Sequence, residues 1–238
     1  MNGRQSPIAL ALDTNSKEEA LQLAQTLKPW VGVYKVGPRL TNRFGPQIIS
    51  ELAHLGPVFV DHKYYDIPST TLEAVQSIFE LGASYVTVHA SVGMRTLEQL
   101  ASLERVLNQK RPFKILVVTV LTSLESRDFP SWMSNISLKT CVQDYMSQVA
   151  VAKLTGVVCS PYEISLAKKI IPNAFIVTPG IRLEKNCDDD QDRVATPQEA
   201  LQAGASLLVI GRPILMAPSP AQMAEQIFQS LISQREVL

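Results

Sequence analysis

A single α/β domain built as a (β/α)8 TIM barrel is the fold that this sequence predicts. Three observations carry the reading. Eight short apolar runs rich in Val and Ile recur along the chain with few polar interruptions, as strands buried on both faces of a parallel sheet do. Segments with Ala, Leu and Ile at helical intervals separate those runs. Eight strand-plus-helix units in 238 residues take about 30 residues each, the size of one β–α step, and such barrels run to about 250 residues.

The elements follow in order. The first run, 8–12, stops at Asp13, and Ser16 offers an N-cap for a helix over 17–27 with Ala20, Leu21, Ala24 and Leu27 on one face. The second run, 31–36, precedes a helix over 43–54 carrying Ile48, Ile49, Leu52 and Ala53. The third, 57–60, leads to a helix over 69–81 that Gly82 ends. The fourth, 84–88, is followed by a helix over 95–109, and the fifth, 115–120, by one over 138–154. The sixth, 156–159, precedes a helix over 161–170. After the seventh, 174–177, comes the longest irregular stretch, 181–196, which at that length reads as an active-site lid. Thr196 before Pro197 opens a helix over 197–203 that Gly204 closes. The eighth run, 206–210, and a helix over 220–232 opened by Ser219-Pro220 complete the set. No linker or low-complexity tract intervenes, so residues 1–238 read as one domain. A doubly wound open sheet is the competing fold, but Asp13-Thr14-Asn15 follows the first strand where that fold places a G-x-G-x-x-G turn.

Composition narrows the function classes. Hydrophobic residues make up 46% and charged residues 18%, enough apolar side chain for a sizeable core. Lys+Arg and Asp+Glu are 22 each, so the basic excess of a nucleic-acid coat is missing, though a zero balance leaves room for a locally charged pocket. No apolar run approaches the ~18 residues of a membrane span. The polar residues 1–6 do not fit a signal peptide, which points to a cytoplasmic address. Cys141, Cys159 and Cys187 are scattered and odd in number, a poor basis for a disulfide framework or a zinc cluster.

In a barrel of this kind the site lies at the carboxyl ends of the strands. The polar residues there are Asp13, Lys35, Asp61 with Lys63, His89, Thr122-Ser123, Ser160, Pro179-Gly180 with Arg182, and Gly211-Arg212. Asp61-His62-Lys63-Tyr64-Tyr65-Asp66 is the densest signal. Strand alternation puts Asp61 and Lys63 on one face, and acids flanking a lysine keep it charged and aim its proton. The plain alternative is a structural ion-pair triad. Loops after the seventh and eighth strands of barrels often bind phosphate, and Gly211, Arg182 and Arg212 suit an anion. The residues alone therefore suggest a phosphorylated small molecule, a lysine acid and nearby carboxylates.

These pieces resemble the orotidine 5′-phosphate decarboxylase family, whose reaction ends UMP synthesis. The resemblance rests on Leu12-Asp13, Tyr34-Lys35-Val36-Gly37, Asp61-x-Lys63-x-x-Asp66-Ile67-Pro68-x-Thr70, Val88-His89-Ala90-Ser91, Leu121-Thr122-Ser123, Thr178-Pro179-Gly180-Ile181-Arg182, Asp190-Gln191 and Gly211-Arg212. It implies decarboxylation of orotidine 5′-monophosphate (OMP) with no metal and no cofactor, Lys63 giving the proton to C6. Lys35, Asp61, Lys63 and Asp66 would form the charged tetrad around the leaving carboxylate, neutral in sum. Asp66 and Thr70 would come from the neighbouring subunit of a homodimer, with Ile67 between them. Asp13 and Lys35 resemble ribose contacts, Thr122 and Ser123 pyrimidine contacts, and Pro179, Arg182, Gln191, Gly211 and Arg212 the phosphate and lid residues.

The sequence departs from the family pattern at His62, Tyr64, Tyr65, Ser69 and Val92. Alternation turns His62 and Tyr64 toward the helix layer, where a hydrogen-bonded structural role is expected. His89 reads as structural at least as readily as a ligand. Cys141 and Cys159 read as small buried apolar residues, Cys187 as an exposed thiol, Trp30 and Trp132 as anchors, and the acids 188–190 as a solvated loop face. Magnesium-dependent 3-keto-gulonate-6-phosphate decarboxylases share the D-x-K-x-x-D core and are the nearest competing function. A non-catalytic phosphate-binding barrel is the competitor from another class.

Overall fold

The computed structural model describes residues 6–131, 135–183 and 194–233. Strands β1 (Ile8–Ala11), β2 (Val33–Val36), β3 (Val58–Tyr64), β4 (Tyr85–His89), β5 (Lys114–Val118), β6 (Gly156–Val158), β7 (Phe175–Thr178) and β8 (Leu207–Ile210) close into one barrel in sequence order. Every neighbouring pair is parallel, including β1 with β8. This is the predicted (β/α)8 TIM barrel.

The alternation of each strand sorts two cores. Ala9, Val33, Phe59, Leu116, Val118, Val158, Val177 and Leu207 fill the barrel interior. Ile8, Leu10, Tyr34, Val58, Val60, Val86 and Val88 face outward onto the helices. Both sets are apolar because a parallel sheet covered by helices exposes neither face to water. Higher on the same inward phase come Lys35 above Val33 and Asp61 above Phe59. The charges thus sit where the apolar layers end.

Helix entries follow local chemistry. The Ser16 hydroxyl accepts from the Glu19 amide, and the Ser137 hydroxyl from that of Thr140. Thr196 and Glu199 form a reciprocal capping box around Pro197–Ala203. Gly204, at φ +108°, ends that helix in the left-handed region that side chains with a Cβ disfavour.

Two predicted helices differ in detail, and one helix was not expected. The helix expected over 43–54 is two helices, Pro38–Phe44 and Gln47–Ala53, broken at Gly45-Pro46. The one expected over 161–170 opens with a 3-10 turn, Pro161–Glu163, where the Glu163 carboxylate takes up the Ser160 amide. A short helix, Arg212–Leu215, follows β8 directly. Among the described residues no helix is long and apolar enough to cross a membrane.

Candidate active site

A cavity of about 790 Å³ opens at the carboxyl ends of the strands. Asp13, Lys35, Asp61, Lys63, Thr122, Ser123, Pro179, Arg182, Gly211 and Arg212 line it, brought together from the ends of six strands. Asp66, Ile67 and Thr70 do not line the cavity and are exposed beside it. Gln191, with Cys187 and the acids 188–190, lies outside the described residues, as does Trp132.

Asp61 is the centre of the charge array. Its Oδ1 accepts from Lys63 Nζ at 2.9 Å and from the Thr87 hydroxyl at 3.0 Å, while Oδ2 pairs with Lys35 Nζ at 3.4 Å. Burial pushes the Asp61 carboxyl up. Lys35, Lys63 and the hydrogen bonds from Lys63 and Thr87 outweigh burial and hold it below the usual carboxylate range. Lys35 is nearly enclosed, its side chain 11% exposed, whereas that of Lys63 is 39% exposed and reaches into the cavity. One carboxylate thus anchors two ammonium groups, and the more open one is free to meet a substrate.

The geometry that joins Asp61 and Lys63 is not the regular alternation expected from sequence. Pairing between β3 and β4 jumps from Val60–Val86 to Tyr64–Val88, so 61–63 bulge from the ladder. Lys63 takes φ +50°, the left-handed region that costs a side chain of its size about 1–3 kcal/mol. His62 and Tyr64 do serve structure. The His62 ring bonds the Thr41 hydroxyl through Nε2 and the Tyr64 hydroxyl through Nδ1, both at 2.9 Å, and Tyr64 packs on the outer core. His89 Nδ1 accepts the Ser91 amide at 3.2 Å, and its ring lies between those of Tyr65 and Tyr145, outside the cavity lining.

The far side of the cavity suits an anion. Arg182 is 8% exposed, its Nη1 donating to the Ile181 carbonyl, and its backbone pairs with Ala195 to join the two ends of the 181–196 stretch. Gly211 sits against β1, where an added Cβ would stand 3.2 Å from that of Ala11 and 3.9 Å from the Asp13 carboxylate. Among the described residues, five cationic side chains and two carboxylates line the cavity. The described lining is therefore net positive, and Asp66, which the resemblance assigns to the neighbouring subunit's site, adds nothing to it.

Two lining or supporting residues escaped the sequence reading. Arg39 reaches the cavity from the helix after β2 and donates to the Asp13 carbonyl at 2.7 Å. Thr87 is fully buried on the inward phase of β4 beside Asp61. A lone polar residue on that phase of the 84–88 run was the available signal.

A closed parallel barrel with lysines, a carboxylate and arginines gathered at its carboxyl mouth defines a barrel enzyme for an anionic small molecule. The chain belongs to the orotidine 5′-phosphate decarboxylase / HUMPS family, whose model matches residues 6–227. It is 39% identical over 234 residues to a protein of Pseudomonas syringae pv. syringae (strain B728a) named orotidine 5′-phosphate decarboxylase, covering 97% of this chain and all of that one. It is 40% identical over 228 residues to one of the same name from Dichelobacter nodosus (strain VCS1703A), covering 95% and 99%. The crystal structure of orotidine 5′-phosphate decarboxylase from Lactobacillus acidophilus superposes with a TM-score of 0.82 at 28% identity, covering 96% of this chain and 99% of that one.

Proposed function

We propose that this chain is a carboxy-lyase that converts OMP to UMP, with Lys63 as proton donor and without metal or cofactor. The observation that carries the reading is the Asp61 carboxylate bridging Lys35 and Lys63 at the cavity wall. Breaking the C6–carboxylate bond releases CO2 and leaves the electron pair on C6, where ring resonance does not spread it. Stabilisation then falls to charge already in place, and the Lys63 ammonium supplies it. Its proton passes to C6 to give UMP, and solvent restores the lysine. Asp13 and Lys35 are assigned to the ribose, Thr122 and Ser123 to the pyrimidine, and Pro179, Arg182, Gln191, Gly211 and Arg212 to the phosphate.

The same reading makes the working unit a cytoplasmic homodimer of one-domain chains in which Asp66, Ile67 and Thr70 complete the neighbour's site. Its support is local. Asp66 stands outside its own cavity between Tyr65 and Ile67, which are 68% and 64% exposed, an unusual setting for two large apolar side chains. Purified protein with OMP and EDTA should lose orotate absorbance, and Lys63→Ala should lower the rate at least about 1000-fold while still binding UMP. Activity abolished by EDTA would favour the magnesium-dependent sugar-phosphate chemistry, and a Lys63→Ala enzyme of near-normal rate would remove Lys63 from the role.

A further inference from the structure

The bulge in β3 asks what holds Lys63 in a strained conformation while its ammonium projects into the cavity. In a regular ladder the strand beside it would supply a backbone carbonyl for each second amide. Here pairing is lost between Val60–Val86 and Tyr64–Val88, and the Lys63 amide donates instead to the Thr87 hydroxyl at 2.8 Å. That hydroxyl lies 3.0 Å from Asp61 Oδ1, the atom that also accepts Lys63 Nζ at 2.9 Å. An amide only donates, so the hydroxyl proton is left to point at the carboxylate. The result is a closed ring: Lys63 amide to Thr87, Thr87 to Asp61, and Lys63 ammonium to Asp61. Thr87 is fully buried, so its hydroxyl meets no solvent and its hydrogen bonds go to these two partners.

We propose that Thr87 is a positioning residue for the decarboxylation, its one hydroxyl fixing both the backbone of Lys63 and the carboxylate that Lys63 grips. The inference rests on Lys63 being the proton donor. Thr87 does not line the cavity, so it acts through Lys63 and Asp61 and touches no substrate. Removing the hydroxyl leaves the Lys63 amide and one Asp61 contact unsatisfied in a buried place, and the strained backbone relaxes. The ammonium then points away from C6, while the phosphate and ribose contacts, which lie on other strands, stay as they were.

The test compares the full-length wild type, Lys63→Ala, Thr87→Val and Thr87→Ser by OMP turnover and by UMP binding in calorimetry. Thr87→Val should lower kcat about 30- to 100-fold, as expected for a reacting group misplaced by about 1 Å. KM and the UMP Kd should stay within about threefold, since the binding contacts are untouched. Thr87→Ser keeps the hydroxyl and should retain kcat within about threefold of wild type. A merely structural role would instead weaken turnover and UMP binding together, or leave the Ser variant as impaired as the Val variant, and either result overturns the assignment. Should Thr87→Val not fold, Thr87→Ala is read by the same criteria. An active wild type and an inactive Lys63→Ala beside an unimpaired Thr87→Val would overturn the Thr87 assignment alone. A wild type that leaves OMP unchanged would overturn the decarboxylase reading and this assignment with it.

Discussion

Lys35 and Lys63 share one carboxylate yet differ in exposure, and that difference separates an enclosed charge from one open to the cavity. The arginines divide in a similar way. Arg182 is buried and tied to the backbone around it, whereas Arg212 is exposed at the rim. Arg212→Ala should therefore leave the fold intact and lower kcat/KM for OMP about 10- to 100-fold, the worth of a charge-assisted hydrogen bond to phosphate, as steady-state kinetics will show. The imidazoles report on the same electrostatics. Burial first, and then the Lys63 charge, hold His89 below its ordinary value of 6.5. Burial likewise lowers His62, where Asp61 pulls up and Lys63 down. With a depressed folded-state pKa, each neutral imidazole contributes stability above 6.5 that is lost as the pH falls toward the folded value. An NMR titration should find both rings more than half neutral at pH 6.5, and Lys63→Ala should raise the His89 value.

At the scale of elements, β3 carries the paired charges and β6 shows how tightly the barrel is drawn. The pattern Asp61-x-Lys63 marked a charged strand end, and that much was legible because strands alternate. The bulge was not, since it arises from the mismatch between β3 and β4 and from the Thr87 side chain that takes over a ladder bond. The helix break at Gly45-Pro46 was written in the sequence as a glycine followed by a proline, within a helical pattern that continued across it. In β6, Gly156 lies so close to β5 that an added Cβ would stand 2.1 Å from the Ile115 carbonyl oxygen. Gly156→Ala should cost about 3 kcal/mol or more, the upper end for overpacking, read as a lowered denaturant midpoint with an unchanged slope.

For the molecule as a whole, the prediction concerns shared sites. Mixing inactive Lys63→Ala with inactive Asp66→Ala should restore activity, because a hybrid dimer would join an intact Lys63 to an intact Asp66. Mixtures that stay inactive after denaturation and co-refolding would mean that Asp66 does not act across a dimer. The sequence by itself determined the barrel, since eight Val- and Ile-rich runs with helical spacers leave one economical closure, and it placed the charged residues at strand ends. It also carried the family resemblance, because Asp61-x-Lys63-x-x-Asp66 and the motifs around it are contiguous in the chain. Only the tertiary structure decided that Asp61 bridges both lysines, that Lys63 adopts φ +50°, that Thr87 and Arg39 join the site, and that Asp66 stands outside it. The physical reason is that periodicity says which face a side chain takes, whereas distances between strands depend on register. A bulge of residues 61–63 opposite Thr87 changes register without leaving a trace in the spacing of the apolar residues.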